Sequence, residues 1–292
     1  MTAPYEAPVV HWYAQHARDL PWRRPGVSPW SVLVSEFMLQ QTPVSRVLPA
    51  HAAWLARWPA AAAFAAEPAA EALRQWGRLG YPRRALRLHA TAGALVARHG
   101  GEVPASAAEL RELPGVGAYT AAAVASFAFG QRHAVLDTNV RRVLARLVSG
   151  RQYPAPATSA AEIRLAGTLL PDSGSRAARW SVAVMELGAL ICTAARPDCG
   201  ACPVADQCRW RASGSPPGPA RRPSPRYAGS DRQCRGEILA MLRSAAGPLP
   251  AAALTAAPGD EGQRARALAA LIADGLATGR ADGSIGLPGD PG

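Results

Sequence analysis

Four cysteines, Cys192, Cys199, Cys202 and Cys208, fall within 17 residues at the spacing Cys-x6-Cys-x2-Cys-x5-Cys. So dense a set in a chain with no secretory features points to metal rather than disulfides. Zinc favours two close Cys-x2–4-Cys pairs, and only one is present. Four thiolates on one compact loop suit a [4Fe–4S] cluster better, with zinc as the alternative. Cys234 is left over and reads as a free thiol.

A second constellation runs from Leu113-Pro114-Gly115-Val116-Gly117 through the apolar stretch Tyr119 to Phe129 and on to Asp137-Thr138-Asn139. Pro114 and Gly115 should break a helix over 107–113, Gly117 can take a positive φ, and a new helix should start at Ala118. Backbone N–H groups at such a start bind phosphate without reading sequence. Asp137 follows 20 residues beyond Gly117, just past the new helix. The segment could grip a DNA backbone and carry a carboxylate beside it. An ordinary helix connection with a surface aspartate fits the same residues.

The elements that must hold these groups are helical. The chain has 292 residues, 49% of them hydrophobic, which allows one large domain or two smaller ones. No run of 18 apolar residues predicts a membrane span, and no secretory leader is expected, so a cytoplasmic, nucleoid-associated protein is expected. A net charge of +11 favours a polyanionic partner. All 32 cationic side chains are arginine; with no lysine, no side-chain amine can form a Schiff base.

Helices are expected over 7–18, over 30–42 with Ser28 as cap and Pro29 in the first turn, and through several alanine-rich segments to about residue 99. Glu36 and Gln40 lie one turn apart on the second of these, and a lone helical glutamate reads as solvated. Gly77 to Arg84 is a glycine turn presenting Tyr81 beside three arginines, either a strand-wedging loop or a plain connection. Trp22, in a proline-bounded loop, reads as core. No strand alternation appears before residue 270, so the fold class is all-α. Residues 212–230 hold five prolines and read as a linker. Beyond it, helices over 235–243, 250–256 and 262–273 and a hairpin over 278–287 suggest a winged-helix-like module.

Taken together, Leu113–Gly117, Asp137 and the cysteine loop resemble the helix-hairpin-helix DNA glycosylases of the endonuclease III superfamily. Within it, Ser35-Glu36-Phe37-Met38-Leu39-Gln40-Gln41-Thr42 and Leu79-Gly80-Tyr81 resemble the adenine glycosylases of the MutY type. The resemblance covers roughly residues 8–212. It implies two lobes, a six-helix barrel over 27–136 and a cluster lobe from 1–26 and 137–212; the linker at 213–230 and the small module at 231–292 lie beyond it and rest on the composition and pattern given above. It implies a monomer that removes adenine mispaired with 8-oxoguanine or guanine in double-stranded DNA.

By the same resemblance, Glu36 donates a proton to adenine N7 and Asp137 opposes the positive charge at C1′. Tyr119 and Asn139 bond around this centre, and Arg18, Leu20 and Trp22 lie near the adenine pocket. Gln41 and Tyr81 enter the helix around the opposite base, Gln40 and Thr42 beside them belong to the DNA-binding set, and Gly115, Val116 and Gly117 hold phosphate. Strand-cleaving superfamily members carry lysine at the position of Tyr119, so a simple glycosylase is expected. Two departures stand out. No Phe follows residue 129 and no His follows 133, so the family's Phe-Ser-His motif for 8-oxoguanine is absent, and Pro82 stands where a second tyrosine often does. The tail is therefore expected to add mainly affinity, its loss flattening the salt dependence of binding. The alternatives are an endonuclease III-like glycosylase for oxidised pyrimidines and a non-catalytic cluster protein that grips DNA.

Overall fold

The computed structural model describes residues 4–219 and 226–291. Fourteen α-helices are present among them: α1 Glu6–His16, α2 Pro29–Leu39, α3 Val44–Arg57, α4 Ala61–Ala65, α5 Ala69–Trp76, α6 Arg83–His99, α7 Ala107–Arg111, α8 Ala118–Phe129, α9 Thr138–Leu147, α10 Ala160–Thr168, α11 Gly174–Leu190, α12 Arg209–Ala212, α13 Asp231–Ser244 and α14 Glu261–Ala273. The linker expected at 213–230 falls partly, over 220–225, outside the described residues.

The chain divides into two compact units. One comprises Met1–Leu33, Pro104–Glu112 and Val116–Arg221; the other comprises Val34–Val103, Leu113–Gly115 and Arg222–Gly292. In the first, Val9 and Trp12 of α1, Val143 and Leu144 of α9, and Trp180, Val184 and Leu187 of α11 share one buried core. In the second, Trp54 packs edge-on to Trp58, Phe64 and Trp76, with ring centroids 4.7, 4.8 and 5.8 Å away. Burial of such side chains contributes about 1.5–3 kcal/mol each.

Several local expectations need correction. α2 ends at Leu39 rather than Thr42, because Gln41 turns into the left-handed region at φ 57°. α7 ends at Arg111, two residues short of the expected Leu113. In the turn that follows, Gly115 rather than Gly117 takes positive φ (77°), and Gly117 is extended at φ −87°. A strand also precedes residue 270: β1 Leu249–Pro250, followed by a 3-10 turn Ala251–Ala256 where an α-helix was expected. Two residues, one of them proline, are too few to show strand alternation.

β1 pairs antiparallel with β3 (Ser284–Gly286), which pairs antiparallel with β2 (Thr278–Gly279), giving the order β1-β3-β2. With α13 before β1, the 3-10 turn and α14 after it, and a β2–β3 hairpin, the module at 231–291 has the topology of a winged helix. Asp282 turns the hairpin by accepting from the Ser284 backbone N–H at 2.9 Å and hydroxyl at 2.7 Å, while Gly283 takes φ 80°.

Candidate active site

Asp137 is the N-cap of α9. Its Oδ1 accepts from the Val140 N–H at 2.6 Å and its Oδ2 from the Asn139 side-chain amide at 2.8 Å. Asn139 accepts in turn from Arg142 Nη2 at 2.8 Å, and Arg142 Nε donates to the Cys192 carbonyl at 2.7 Å. A line of hydrogen bonds thus runs from the Asp137 carboxylate to the start of the cysteine loop. Burial pushes the Asp137 carboxyl above the ordinary aspartate range, against the Val140 N–H, the Asn139 amide and the Arg142 charge, which pull it down.

α11 lies close against this first turn. A Cβ on Gly188 would stand 2.8 Å from Asn139 Cβ and 2.9 Å from its carbonyl oxygen. Gly188→Ala gains about 1 kcal/mol of helix propensity, while overpacking a backbone contact costs about 1–3 kcal/mol. The expected outcome is lower thermal stability and slower single-turnover base release, since Asn139 steadies Asp137. Unchanged values for both would contradict this account.

Arg146, buried on α9, organises the cysteine loop. It donates to the Thr193 carbonyl at 2.8 Å, the Ala194 carbonyl at 3.1 Å and Cys192 Sγ at 3.4 Å, with Trp210 over its guanidinium at 4.8 Å. Cys192, Cys202 and Cys208 pack on the core of this unit, and all four cysteines are free thiols. Among the described residues, no three or more of His, Cys, Asp and Glu converge closely enough to hold a metal ion as they stand. The four sulfurs nonetheless belong to one short loop, and burial drives Cys202 up to about 11, with Cys192, Cys208 and Cys199 acting in the same direction. A bound cation or cluster would offset that rise, so the donor set fits one.

In the other unit, Glu36 is buried on α2, as are Ser35 and Phe37 beside it. The end of this helix is held by Arg84, a buried side chain of α6. Its Nη1 donates to the carbonyls of Phe37 at 2.8 Å, Met38 at 2.9 Å and Gln40 at 2.5 Å. Its Nη2 donates to Thr42 Oγ1 at 2.8 Å and the Gly80 carbonyl at 3.0 Å. Thr42 passes its own proton to the Leu79 carbonyl at 3.1 Å. Gln40–Thr42 and Gly80–Tyr81 are thereby gathered around one guanidinium, which burial pulls down to about 10. Of the three arginines expected to present themselves beside Tyr81, Arg84 is spent on these carbonyls and Arg83 pairs with Asp274 at 3.0 Å, while Arg78 is exposed. Gln41 (φ 57°) and Tyr81 (φ 48°) are both left-handed, and the Tyr81 side chain is 58% exposed. Strain at non-glycine residues costs about 1–3 kcal/mol each and persists where surrounding bonds enforce it.

The glycine turn docks on α6. Thr91 Oγ1 donates to the Pro114 carbonyl at 2.6 Å, and a Cβ on Gly115 would come within 2.8 Å of Arg87 Cβ. Val116 is buried; Gly115, Gly117 and Ala118 are exposed at the start of α8, and Tyr119 is half-buried in its first turn. Arg18, Leu20 and Trp22 belong to the first unit. Leu20 and Trp22 are buried, and Arg18 clasps the fully buried Glu186 of α11 through Nε at 2.6 Å and Nη2 at 2.9 Å, joined by Arg23 at 2.6 Å. Burial would raise the Glu186 carboxyl, yet these cations hold it at about 2.

Residues 34–166 match the HhH-GPD superfamily base excision DNA repair proteins. Over 283 residues the chain is 51% identical to the adenine DNA glycosylase of Mycolicibacterium smegmatis, covering 97% of this chain and 95% of that one. The chain belongs to the adenine DNA glycosylases. The human adenine DNA glycosylase is 39% identical across 71% of this chain and 39% of its own length. Among solved structures, a thermostable thymine-DNA glycosylase matches 72% of this chain and 95% of its own with a TM-score of 0.66 and 27% identity. A trapped endonuclease III–DNA covalent intermediate covers 70% of this chain and 93% of its own at a TM-score of 0.60, and at 24% identity it speaks for the fold alone. This adenine DNA glycosylase has the helix-hairpin-helix fold expected from Leu113–Gly117, and DNA is its partner. No helix among the described residues is long and apolar enough to cross a membrane.

Proposed function

We propose that this chain, as a monomer, removes adenine paired with 8-oxoguanine or guanine by hydrolysis and leaves the strand uncut. The observation that carries the choice of mispair is the gathering of left-handed Gln41 and left-handed, exposed Tyr81 around Arg84, at the end of the helix that buries Glu36. A planar side chain held in that way suits wedging beside a base and reading the edge of its partner.

Glu36 protonates N7 of the flipped adenine, so the N9–C1′ bond breaks to release a neutral base. Asp137 stays ionised and opposes the positive charge on the sugar until water adds at C1′. Asn139 fixes the Asp137 carboxylate, and Tyr119 bonds nearby. Arg18, Leu20 and Trp22 form part of the wall around adenine, and the exposed N–H groups after Gly115, Val116 and Gly117 hold phosphate.

The deciding experiment is single-turnover base release from duplexes carrying A:8-oxoguanine, A:G and A:T. Release from the first two and none from the third is expected; equal rates on all three would overturn the reading. With no lysine in the chain, abasic product should accumulate intact and break only on alkali treatment, and borohydride should trap little protein–DNA adduct. Enzymatic nicking that kept pace with base release would contradict this.

Cys192, Cys199, Cys202 and Cys208 would hold a [4Fe–4S] cluster, which when bound ties the 192–208 loop into one cross-linked piece. Purified protein should be brown and carry about four irons per chain. Stoichiometric zinc without iron would replace the cluster by the simpler ion.

A further inference from the structure

A winged-helix topology invites the view that the 231–291 module grips DNA through its second helix, as helix-turn-helix proteins do. Its chemistry points elsewhere. Residues 231–292 carry six arginines against seven acidic residues, net −1, while the remaining 26 arginines and 14 acids give +12. All six arginines are engaged within the chain. Arg232 lies over the Tyr227 ring at 5.1 Å, Arg235 pairs with Asp274, and Arg243 donates to the Gly77 carbonyl. Arg264 donates to the Gly259 carbonyl, Arg266 pairs with Asp231 at 3.3 Å, and Arg280 donates to the Asp290 and Pro291 carbonyls at 2.7 and 2.8 Å. Exposed on α14 are Ala265, Ala269 and Ile272, which offer phosphate nothing, together with Glu261, which repels it, and Arg266, which is paired with Asp231.

The outward bonds of the module go to α5, α6 and the loop between them. Asp290 accepts from Arg74 at 2.5 Å, and Gly289, at φ 83°, lies against Pro68 and Ala69. Arg243 takes the Gly77 carbonyl, where the loop begins, and Asp274 takes Arg83 at 3.0 Å, where it ends. Between these holds, Gly77, Gly80 and Tyr81 all have positive φ, at 52°, 83° and 48°. Inside the loop the Leu79 carbonyl accepts from Thr42 Oγ1 at 3.1 Å, the Gly80 carbonyl from Trp76 Nε1 at 3.0 Å and from Arg84, and the Tyr81 carbonyl from the Arg84 backbone N–H at 3.0 Å, while the Gly77 carbonyl and the Arg83 side chain are held by the module.

We propose that the C-terminal module is a clamp that sets the conformation of the Gly77–Arg83 loop, with Arg243 and Asp274 as positioning residues for the choice of base opposite adenine. The half of this that concerns specificity rests on the reading of Tyr81 given above. The clamp replaces the expectation that the tail chiefly adds phosphate contacts.

The test uses the full chain with Arg243→Ala, Asp274→Asn, Tyr81→Ala and the double variant Arg243→Ala/Tyr81→Ala. Hydrogen exchange of the Gly77–Arg83 amides reads the clamp itself. Single-turnover rates on A:8-oxoguanine and A:G duplexes read specificity, and the salt dependence of binding reads phosphate contacts. Arg243→Ala and Asp274→Asn should speed loop exchange and lower the 8-oxoguanine preference by about tenfold, the weight of one charged hydrogen bond. The log–log salt slope should stay within about one phosphate of the parent. Arg243→Lys, which can still donate to Gly77, should restore the preference, and the double variant should be no worse than Tyr81→Ala alone. Unchanged loop exchange in both single variants would overturn the clamp, as would a salt slope that fell by the several phosphates of a DNA-gripping module. Fast exchange with the preference retained, while Tyr81→Ala erodes it, would reject the positioning role and leave the Tyr81 reading standing. Preference retained in every variant, Tyr81→Ala included, would instead remove the Tyr81 reading and with it the specificity half of the proposal.

Discussion

Glu36→Gln is expected to take adenine release below detection while leaving binding to mispaired DNA intact. The amide has the volume of the acid, so a side chain as buried as this one is replaced without a cavity. What it lacks is a proton to give. Adenine departing unprotonated is an anion and a poor leaving group, and positioned proton transfer contributes roughly 10²–10⁴-fold. The measurement is single-turnover release with saturating enzyme. A second substrate isolates the role: when adenine is replaced by a purine that leaves readily without N7 protonation, the variant should recover much of its rate. A variant slow on both substrates would mean that Glu36 acts on binding or on the sugar rather than on the leaving base.

Asp137→Asn should cost about 10³-fold, the several kcal/mol that one preorganised charge supplies in a dry site. Here the better leaving group should give no rescue, because the missing charge opposes the sugar cation whatever base departs. The fold should survive. An asparagine oxygen still caps the Val140 N–H, and the main loss is a donor facing the Asn139 amide, about 1 kcal/mol. Against that, the buried carboxylate has its proton affinity raised by folding. Stability from this group is therefore greatest with the carboxyl protonated, and falls as pH rises from the unfolded aspartate value through the higher folded one. The amide is exempt from that loss. Thermal midpoints of the parent and variant at neutral pH should accordingly lie close together. In the parent, activity should fall on acidification at a pH above that of an ordinary aspartate, as the carboxylate takes up its proton. An Asp137→Asn enzyme within tenfold of the parent rate would remove the charge-stabilising role.

Much of this architecture was readable in the chain because it is written in short-range spacing. Pro114-Gly115 must break a helix, and four cysteines in 17 residues must share a loop. The turn is legible in Pro114-Gly115, but which of its glycines takes the positive φ is not, because either tolerates it. Arg142, Arg146 and Glu186 carry no clear sequence signal for their roles, and Arg84 reads only as one of three arginines beside Tyr81. Each is a buried charge whose partners are mostly backbone carbonyls or arginines distant in sequence, and neither leaves a local motif. A faint signal existed for Arg146, which stands among Val143, Leu144 and Leu147 on α9 and is itself buried. The docking of the module on α5 and α6 had no such trace, since it rests on single ion pairs between residues up to 216 positions apart.

One compact unit draws its residues from 34–103 and again from beyond 222, with most of the other unit between them in sequence. Because chains fold from the N-terminus as they are made, α5 and α6 leave the ribosome long before Arg243, Asp274 and Asp290 do. Until those partners arrive, Arg74, Arg83 and the Gly77 carbonyl lack their counterparts, and the left-handed turn at Tyr81 lacks its outer supports. A premature stop codon after the cysteine loop would thus yield a protein with every proposed catalytic group present and an unfinished reading loop. On the proposed reading, such a product would treat adenine opposite guanine and adenine opposite 8-oxoguanine more nearly alike than the full chain does.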